Sequence, residues 1–540
     1  MQKISLVLIA FLFSVISLHA QEPRIEKSEA FEEPSDGWNK VFQLKNGNTF
    51  FFHFTKRDGI DVTVFDKSRK LIANRTLTSE VWNPNKMKNS IVEGLYEING
   101  EPVLFIVQSE GRTPTLYRIR LNPETAEIVK ESELGSLPKT HLFKTSKEEN
   151  DIFIEKDPQS DNYAVIYFNS YASDKDERIR VVHYNGKHKV INRAYYESPD
   201  DNFKYLNFIG AVVDGEKSVY LCTYGAGSAK GKDAHVFISR LDAKDSVFFN
   251  RTLDFTEDFK DTKSVMSYNR NNNTIQLLTL SYTSGKTHFL SGGRTNYYLA
   301  LISYIDPGSL NLKSVKPLQG QKINEYAHNT LEIDRDYQGL PQQMIINKDN
   351  STTILSEEMT EEVVVDQKGN VVSATTILGA IGVSELNADG SEKSGYVMIK
   401  MQKAAGIFNP LYIATRTKGK WSNQKGYANY NSFLSYDYIS TDKNRYILFN
   451  DDRKNFDKDE DERKRKLVTN VNKLNTVCYN LNGGLLSKYY LFGNPESKDQ
   501  SNACYVEASD YNKNTSTYAT VMIERDGRDR QARMVWLTFD

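Results

Sequence analysis

A pattern of four short apolar runs separated by turn residues recurs eight times along this chain, and its last copy stops one run early. The final unit breaks off at residues 533–539, where every earlier unit continues into another strand. Residues 24–31 (RIEKSEAF) read like the missing piece and resemble residues 127–134 (EIVKESEL), the fourth run of the second unit. A chain that lends its first strand to its last sheet closes a ring.

The second unit shows the pattern most plainly. Residues 91–98 form the first strand (A), 99–102 (NGEP) a turn, and 103–108 the second strand (B). A loop at 109–114 leads to the third strand (C) at 115–121, and a turn opened by Asn122 and Pro123 leads to the fourth (D) at 127–134. Alternating runs bounded by Asn, Asp, Gly and Pro are a hairpin signal, because such turns need positive φ or local side-chain hydrogen bonds. Units begin near residues 41, 91, 151, 206, 263, 341, 431 and 503. Four antiparallel strands per unit, no polar capping repeat at either end, and an orphaned last unit beside a strand-like N-terminus favour radial closure over an open stack. The expected fold is all-β: a β-propeller of eight four-stranded blades, with residues 24–31 completing the last. Seven blades plus a degenerate unit is the alternative. The propeller is expected to fill residues 21–540 as one domain.

Residues 1–20 differ in character. Lys3 supplies a positive start, 4–18 an apolar core, and Ala20 a small residue before Gln21, the layout of a secretory signal peptide. The mature protein is expected to be exported, either periplasmic or at the cell surface, with no transmembrane segment. Only Cys222, Cys478 and Cys504 are present, too few and too odd in number for a disulfide framework, although Cys478 and Cys504 fall in neighbouring units and are the one pair placed to bridge. A formal net charge of −1 carries no basic stripe of the kind nucleic acid requires.

The chain resembles uncharacterised exported β-propeller-like proteins of the Bacteroidota. The resemblance rests on residues 394–402 (SGYVMIKMQ), 432–436 (SFLSY) and 446–455 (YILFNDDRKN), with the leader ending in Ala20-Gln21. It implies a fold and an exported compartment, and it carries no activity or functional residues.

In a four-stranded antiparallel blade, loops alternate ends. The A–B and C–D turns are short here, whereas the B–C loops (225–234, 283–296, 359–376, 451–469) and the crossovers 319–340 and 403–430 are long. Long loops on a rigid scaffold commonly carry function. Tyr326, Tyr337, Tyr412, Trp421, Tyr427 and Tyr430 lie in or beside those crossovers and are the candidate ligand-stacking residues. With 31 tyrosines, local packing is the plainer explanation for several of them. Loop 451–466 alternates acids and bases and reads as a solvated excursion.

Motifs of known chemistry fall away on inspection. Residues 226–232 (AGSAKGK) lack the first Gly of a phosphate loop, and Asp457, Asp459 and Asp461 begin a calcium loop whose sixth position is Glu462. His183 and His188 flank a tight turn and should face each other, but no third ligand stands nearby for zinc. No metal site or cofactor is expected. The reading is an exported, non-catalytic platform that binds an envelope protein or glycan. The alternatives are a carbohydrate-active or peptidase-like hydrolase at the channel mouth, and a structural subunit of an envelope complex.

Overall fold

The computed structural model describes residues 22–34, 36–55, 59–138, 150–169, 177–199, 203–227, 234–255, 262–287, 293–368, 370–422, 429–458, 464–482 and 486–539. The N-terminal residues 1–20, Tyr427 and most of the glycine-rich stretch near 230 lie outside the described residues. The described strands form antiparallel sheets in sequence order, one of them nine-stranded and spanning the fifth and sixth units. The fold is an all-β propeller.

Each unit grades from inside to outside. The second strand of the first unit, Thr49–Phe54 (TFFFHF), is buried along nearly its whole length, because a central strand packs on both faces. The fourth, Leu71–Thr76, alternates between exposed and half-buried positions, as an outer edge does. First strands of neighbouring units lie side by side and line the centre.

The hydrophobic clusters sit between consecutive sheets. Phe52, Ile60 and Val92 join the first sheet to the second, and Phe105, Val107 and Tyr167 the second to the third. The series runs on to Ile439, Leu448 and Leu537, which join the seventh unit to the eighth. It then returns: Val41, Phe51 and Phe65 of the first sheet pack with Ala519, Val521 and Trp536 of the last. The core is therefore a ring of inter-sheet layers.

The N-terminal strand Arg24–Lys27 completes the last sheet in antiparallel register, with Ile25 opposite Leu537 and Lys27 opposite Val535. Ser28 and Phe31 extend the seam, each donating its amide to the last strand, at 2.9 Å to Met534 O and 2.9 Å to Ala532 O.

Several expectations change. The long B–C segments of units five and six are strands: Thr274–Thr287 pairs with Gly293–Ile305, Thr352–Val365 pairs with Val371–Leu386, and the two hairpins join edge to edge at Arg294 and Glu361. The excursion after Asp451 is anchored, since Arg465 pairs with buried Asp451 and Asn455 donates to Asp451 Oδ1 at 2.7 Å. Cys478 and Cys504 are free, buried thiols, as is Cys222, and burial pushes all three up to about 12.

The histidine pair does not face itself. His183 stands opposite Asn192 across a β-bulge, while His188 occupies the turn at φ 62°. His183 Nε2 lies 2.9 Å from Gly215 O, and His188 Nδ1 lies 3.1 Å from the Tyr163 hydroxyl. Burial and the neighbouring Arg118 lower His188 to about 3. The unfolded chain takes up this proton near the ordinary imidazole value of 6.5, the native chain only near 3. The stabilisation is thus complete above 6.5 and is lost as pH falls through that window. His188→Gln is expected to flatten the acid limb, seen as a smaller difference between urea midpoints at pH 8 and pH 5 than the parent shows.

Candidate functional site

The A–B turns form a continuous stitched rim. Lys45 N donates to Glu97 Oε2 at 2.9 Å, and Asn99 N donates to Asp161 Oδ2 at 2.9 Å, linking units one, two and three. Arg270 then spans units five, four and three, reaching Asp214 Oδ1 at 3.0 Å and Asp157 Oδ2 at 2.7 Å. Asn269 donates to Asn350 Oδ1 at 3.1 Å, Lys348 pairs with Asp442 at 2.6 Å, and Tyr511 donates to Ser440 O at 3.2 Å. Gln43 N closes the circle on Asp510 Oδ2 at 2.7 Å. Asn, Asp and Lys at these turns therefore serve two tasks: they shape the local bend, and they fasten each blade to the next.

Inside this rim opens a cavity of about 780 Å³. Its walls come from the first strands of several units, including Phe42, Tyr96, Val212, Met266, Tyr268 and Met344. Its floor is the crossover after the sixth unit, through Ala414, Thr417 and Lys418.

That crossover enters the channel from the opposite face. Gln402–Ala405 first adds a short strand to Val371–Leu386. Leu411 adopts φ 65° before the helix Tyr412–Thr417, whose buried Ile413 and Arg416 face the core. Beyond it, Lys418 pairs with Glu155 of the third unit at 2.6 Å, and Lys420 with Glu93 of the second at 2.7 Å. Trp421 pairs with Val92 and stacks on Trp38 with ring centroids 5.6 Å apart. Gly419 passes so close to Leu95 that an added Cβ would meet its backbone N at 3.2 Å, and its own φ is 72°. A side chain fits neither the contact nor the conformation. The segment ties the sixth unit to the first three across the axis, and the channel becomes a one-ended funnel.

A side chamber of about 290 Å³ adjoins the funnel, sharing Gln343, Thr417, Asp510, Tyr511 and Lys513 with it. Its further polar lining is Lys40, Arg416, Asp437, Tyr438, Ser440, Ser509 and Tyr518. Arg416 Nη2 donates to Asp437 Oδ1 at 2.6 Å and to Tyr436 O at 2.8 Å. Tyr518 donates to Asp437 Oδ2 at 2.6 Å, and Ser509 donates to the same oxygen. Burial raises Asp510, against the opposing pull of Lys40. At the rim, burial opposes ionisation of Asp157, but the Arg270 guanidinium and the Ser160 hydroxyl outweigh it and hold the carboxyl below its usual value. Lysines and arginines outnumber carboxylates along the two cavities: Lys40, Lys45, Lys156, Arg270, Lys348, Arg416, Lys418 and Lys513 stand against Glu97, Glu155, Asp157, Asp437 and Asp510. Several of these cations are also paired just outside the lining: Lys45 and Lys156 with Asp161, Arg270 with Asp214, and Lys348 with Asp442.

Of the aromatic candidates whose side chains are described, Tyr326 packs with Tyr412 against one hydrophobic cluster and with Tyr337 against another, while Trp421 belongs to a third. Trp421 is buried beneath the plug. Tyr412 packs edge-on against Phe408, and Tyr326 meets Tyr396 with ring centroids 5.7 Å apart. Tyr337 donates its hydroxyl to Ala380 O at 3.2 Å. Tyr430 falls in the short helix Asn429–Phe433, and Tyr427 lies outside the described residues. The funnel residues Lys40, Tyr268, Arg416 and Tyr511 were not singled out by sequence. Their only written signal is a charged or aromatic residue at the inner end of an A strand or inside an unusually apolar crossover.

No family model matches the chain, and no curated protein matches it. Among solved structures it is similar to the polysaccharide lyase Uly1, at 10% identity and TM-score 0.37 over 86% of this chain and 94% of that one. The WD40 domain of SCAP from fission yeast aligns at 8% identity and TM-score 0.32, over 96% of this chain and 98% of the other. A DUF4221 family member from Bacteroides vulgatus aligns at 12% identity and TM-score 0.29, over 70% and 88%. The chain spans 54% of the length of a prolyl endopeptidase that it matches at 10% identity and TM-score 0.33 over 76% of its own length.

Proposed function

We propose that the chain is an exported, non-catalytic propeller of eight blades, one domain following a signal segment and allied to the Bacteroidota proteins it resembles, that binds an envelope glycan in its funnel. One observation supports this most: the funnel is closed at its floor and walled by acids already engaged by backbone amides and guanidinium groups, with Tyr268 and Tyr511 at its mouth. Engaged acids fix a wall and are poorly placed to move protons. Aromatic faces beside amide and charged groups suit sugar rings, which are apolar on their faces and polar at their edges. Tyr427 and Tyr430 keep the stacking role proposed for them from the sequence.

A glycan array read with the mature chain tests this. Tyr268→Ala is expected to weaken any hit several-fold, since an aromatic platform contributes on the order of 1 kcal/mol. An undiminished hit contradicts the funnel as the site. Release of reducing ends during the assay supports the hydrolase reading instead, for which the specific observation is Asp437 and Asp510 sharing one chamber. A docking role in an envelope complex draws on the hairpin tip of the sixth unit, where Val364, Val365, Val371 and Val372 are 58%, 54%, 63% and 67% exposed.

A further inference from the structure

We propose that the side chamber holds the carboxylate of an acidic ligand between Lys40 and Arg416, an inference that rests on the funnel being a binding site and names the chemistry it selects. Lys40 lies in the strand Trp38–Gln43, where a lysine is out of place: only 6% of it is exposed. Its ammonium donates to Ser509 O at 2.5 Å and makes no direct ion pair among the described residues; burial lowers its pKa, and Asp510, Asp437 and Glu507 oppose that from a distance. Asp437 is taken, since its two oxygens already accept from Arg416, Ser509 and Tyr518. Asp510 Oδ2 is turned to the Gln43 amide.

Arg416 is the second half of the site. Its side chain is 6% exposed, and while Nη2 has two acceptors, Nη1 has none among the described residues. Asp437 already compensates the Arg416 charge, so what stays unmet is the donor capacity of Nη1, and a buried donor without an acceptor is costly. A guanidinium and an ammonium on one wall match a carboxylate, which takes a charge-assisted hydrogen bond from each.

The chamber volume of about 290 Å³ suits a single acid-bearing unit, and its opening onto the funnel leaves the remainder of a longer ligand in the larger space. The shared chemistry is a carboxylate on a small polar unit, which either an acidic sugar or an acidic amino acid supplies.

Calorimetry on the mature chain with glucuronate and glutamate, against glucose and glutamine, tests the inference and separates the two sources. At least one acid is expected to bind at least tenfold more tightly than its uncharged counterpart. Lys40→Met is expected to remove that preference, and Lys40→Arg to retain it. Equal binding of acid and neutral probes, or an undiminished preference in a folded Lys40→Met protein, overturns the inference. If Lys40→Met does not fold, crystals of the parent soaked in each acid decide: a carboxylate within hydrogen-bond distance of Lys40 Nζ supports the site, and an empty chamber overturns it. Neutral sugars that bind and are lost with Tyr268→Ala, without any preference for acids, sink this inference and leave the funnel reading standing. Failure of every probe and every array glycan sinks both.

Discussion

Deleting residues 22–34 is expected to cost the protein its cooperative unfolding transition. The segment supplies the outer strand of the last sheet, and with it Ile25 and Phe31 from two of the inter-blade clusters. Ser28 adds three bonds to the seam: its amide reaches Met534 O at 2.9 Å, its hydroxyl accepts from Met534 N at 3.0 Å, and its carbonyl accepts from Arg533 Nη1 at 2.9 Å. Glu33 accepts from the Tyr505 hydroxyl at 2.7 Å and pairs with Arg530. Net hydrogen bonds contribute about 1 kcal/mol each, and half-buried Ile25 and Phe31 each less than the about 1.5–3 kcal/mol of a fully buried side chain, so the sum still reaches the range of a whole domain's stability, about 5–15 kcal/mol. The deletion also leaves the Asp529–Thr538 strand as an open edge, a template for aggregation. Differential scanning calorimetry of the truncated chain should show a broadened, lowered transition with soluble protein lost. A peptide of residues 22–34 supplied in trans should recover part of it, as strand addition does elsewhere. An unchanged transition contradicts ring closure by the N-terminal strand.

The second large effect is expected at Lys400. Its ammonium lies 2.5 Å from Glu357 Oε1, and neither side chain has measurable exposure. Ser435 donates to Glu357 Oε2 at 3.0 Å, and Lys400 also donates to Leu378 O and Gln402 Oε1, both at 3.3 Å. Burial lowers Lys400, and Glu357 is what opposes that most. Lys400→Met strands a carboxylate with one hydroxyl for company and is expected to cost about 3–5 kcal/mol. The double variant Lys400→Met, Glu357→Leu removes both charges and should recover most of the loss, because replacing a buried pair with apolar groups is often neutral. Urea denaturation of these two variants and of Glu357→Leu alone gives the coupling directly. A double variant no better than the single would mean that the loss lies in packing.

Much of the architecture was written in local chemistry. Asn46-Gly47, Asn99-Gly100 and Asp349-Asn350 mark turns in which Gly47, Gly100 and Asn350 take positive φ, and Ile25 sits in register with Leu537 as the orphaned last unit demands. The helix Gln321–Leu331 was legible too, since Ile323, Ala327 and Leu331 repeat at a spacing of four and are buried, but it lay in a stretch read as a crossover. Strand extensions were missed because Thr360, Glu361, Glu362 and Lys286 look like loop residues, although they only need to pair with a neighbouring hairpin above the body of the sheet. The funnel was the least legible part. Long loops drew attention to one face, whereas the crossover bearing Leu411, Ile413 and Trp421 turns inward and shuts that end. Nothing in a short A–B turn shows that its neighbours converge on an axis. Only the ring geometry puts Lys45, Arg270 and Lys348, which lie more than a hundred residues apart at the extremes, around one opening.

If the plugged ring has one way in, the lysines and arginines that line it are proposed to favour an anion there. Thr417 is exposed, lies on the funnel floor and lines both cavities, and the three native thiols are buried. A Thr417→Cys protein treated with an anionic and a cationic alkylthiosulfonate of equal size therefore reports on depth and sign together. Modification in the folded protein is expected, with the anionic reagent favoured over the cationic one relative to their ratio on a free model thiol, and with the preference fading as salt is raised. No modification, or a preference for the cationic reagent, contradicts an open funnel that favours anions at the turn face.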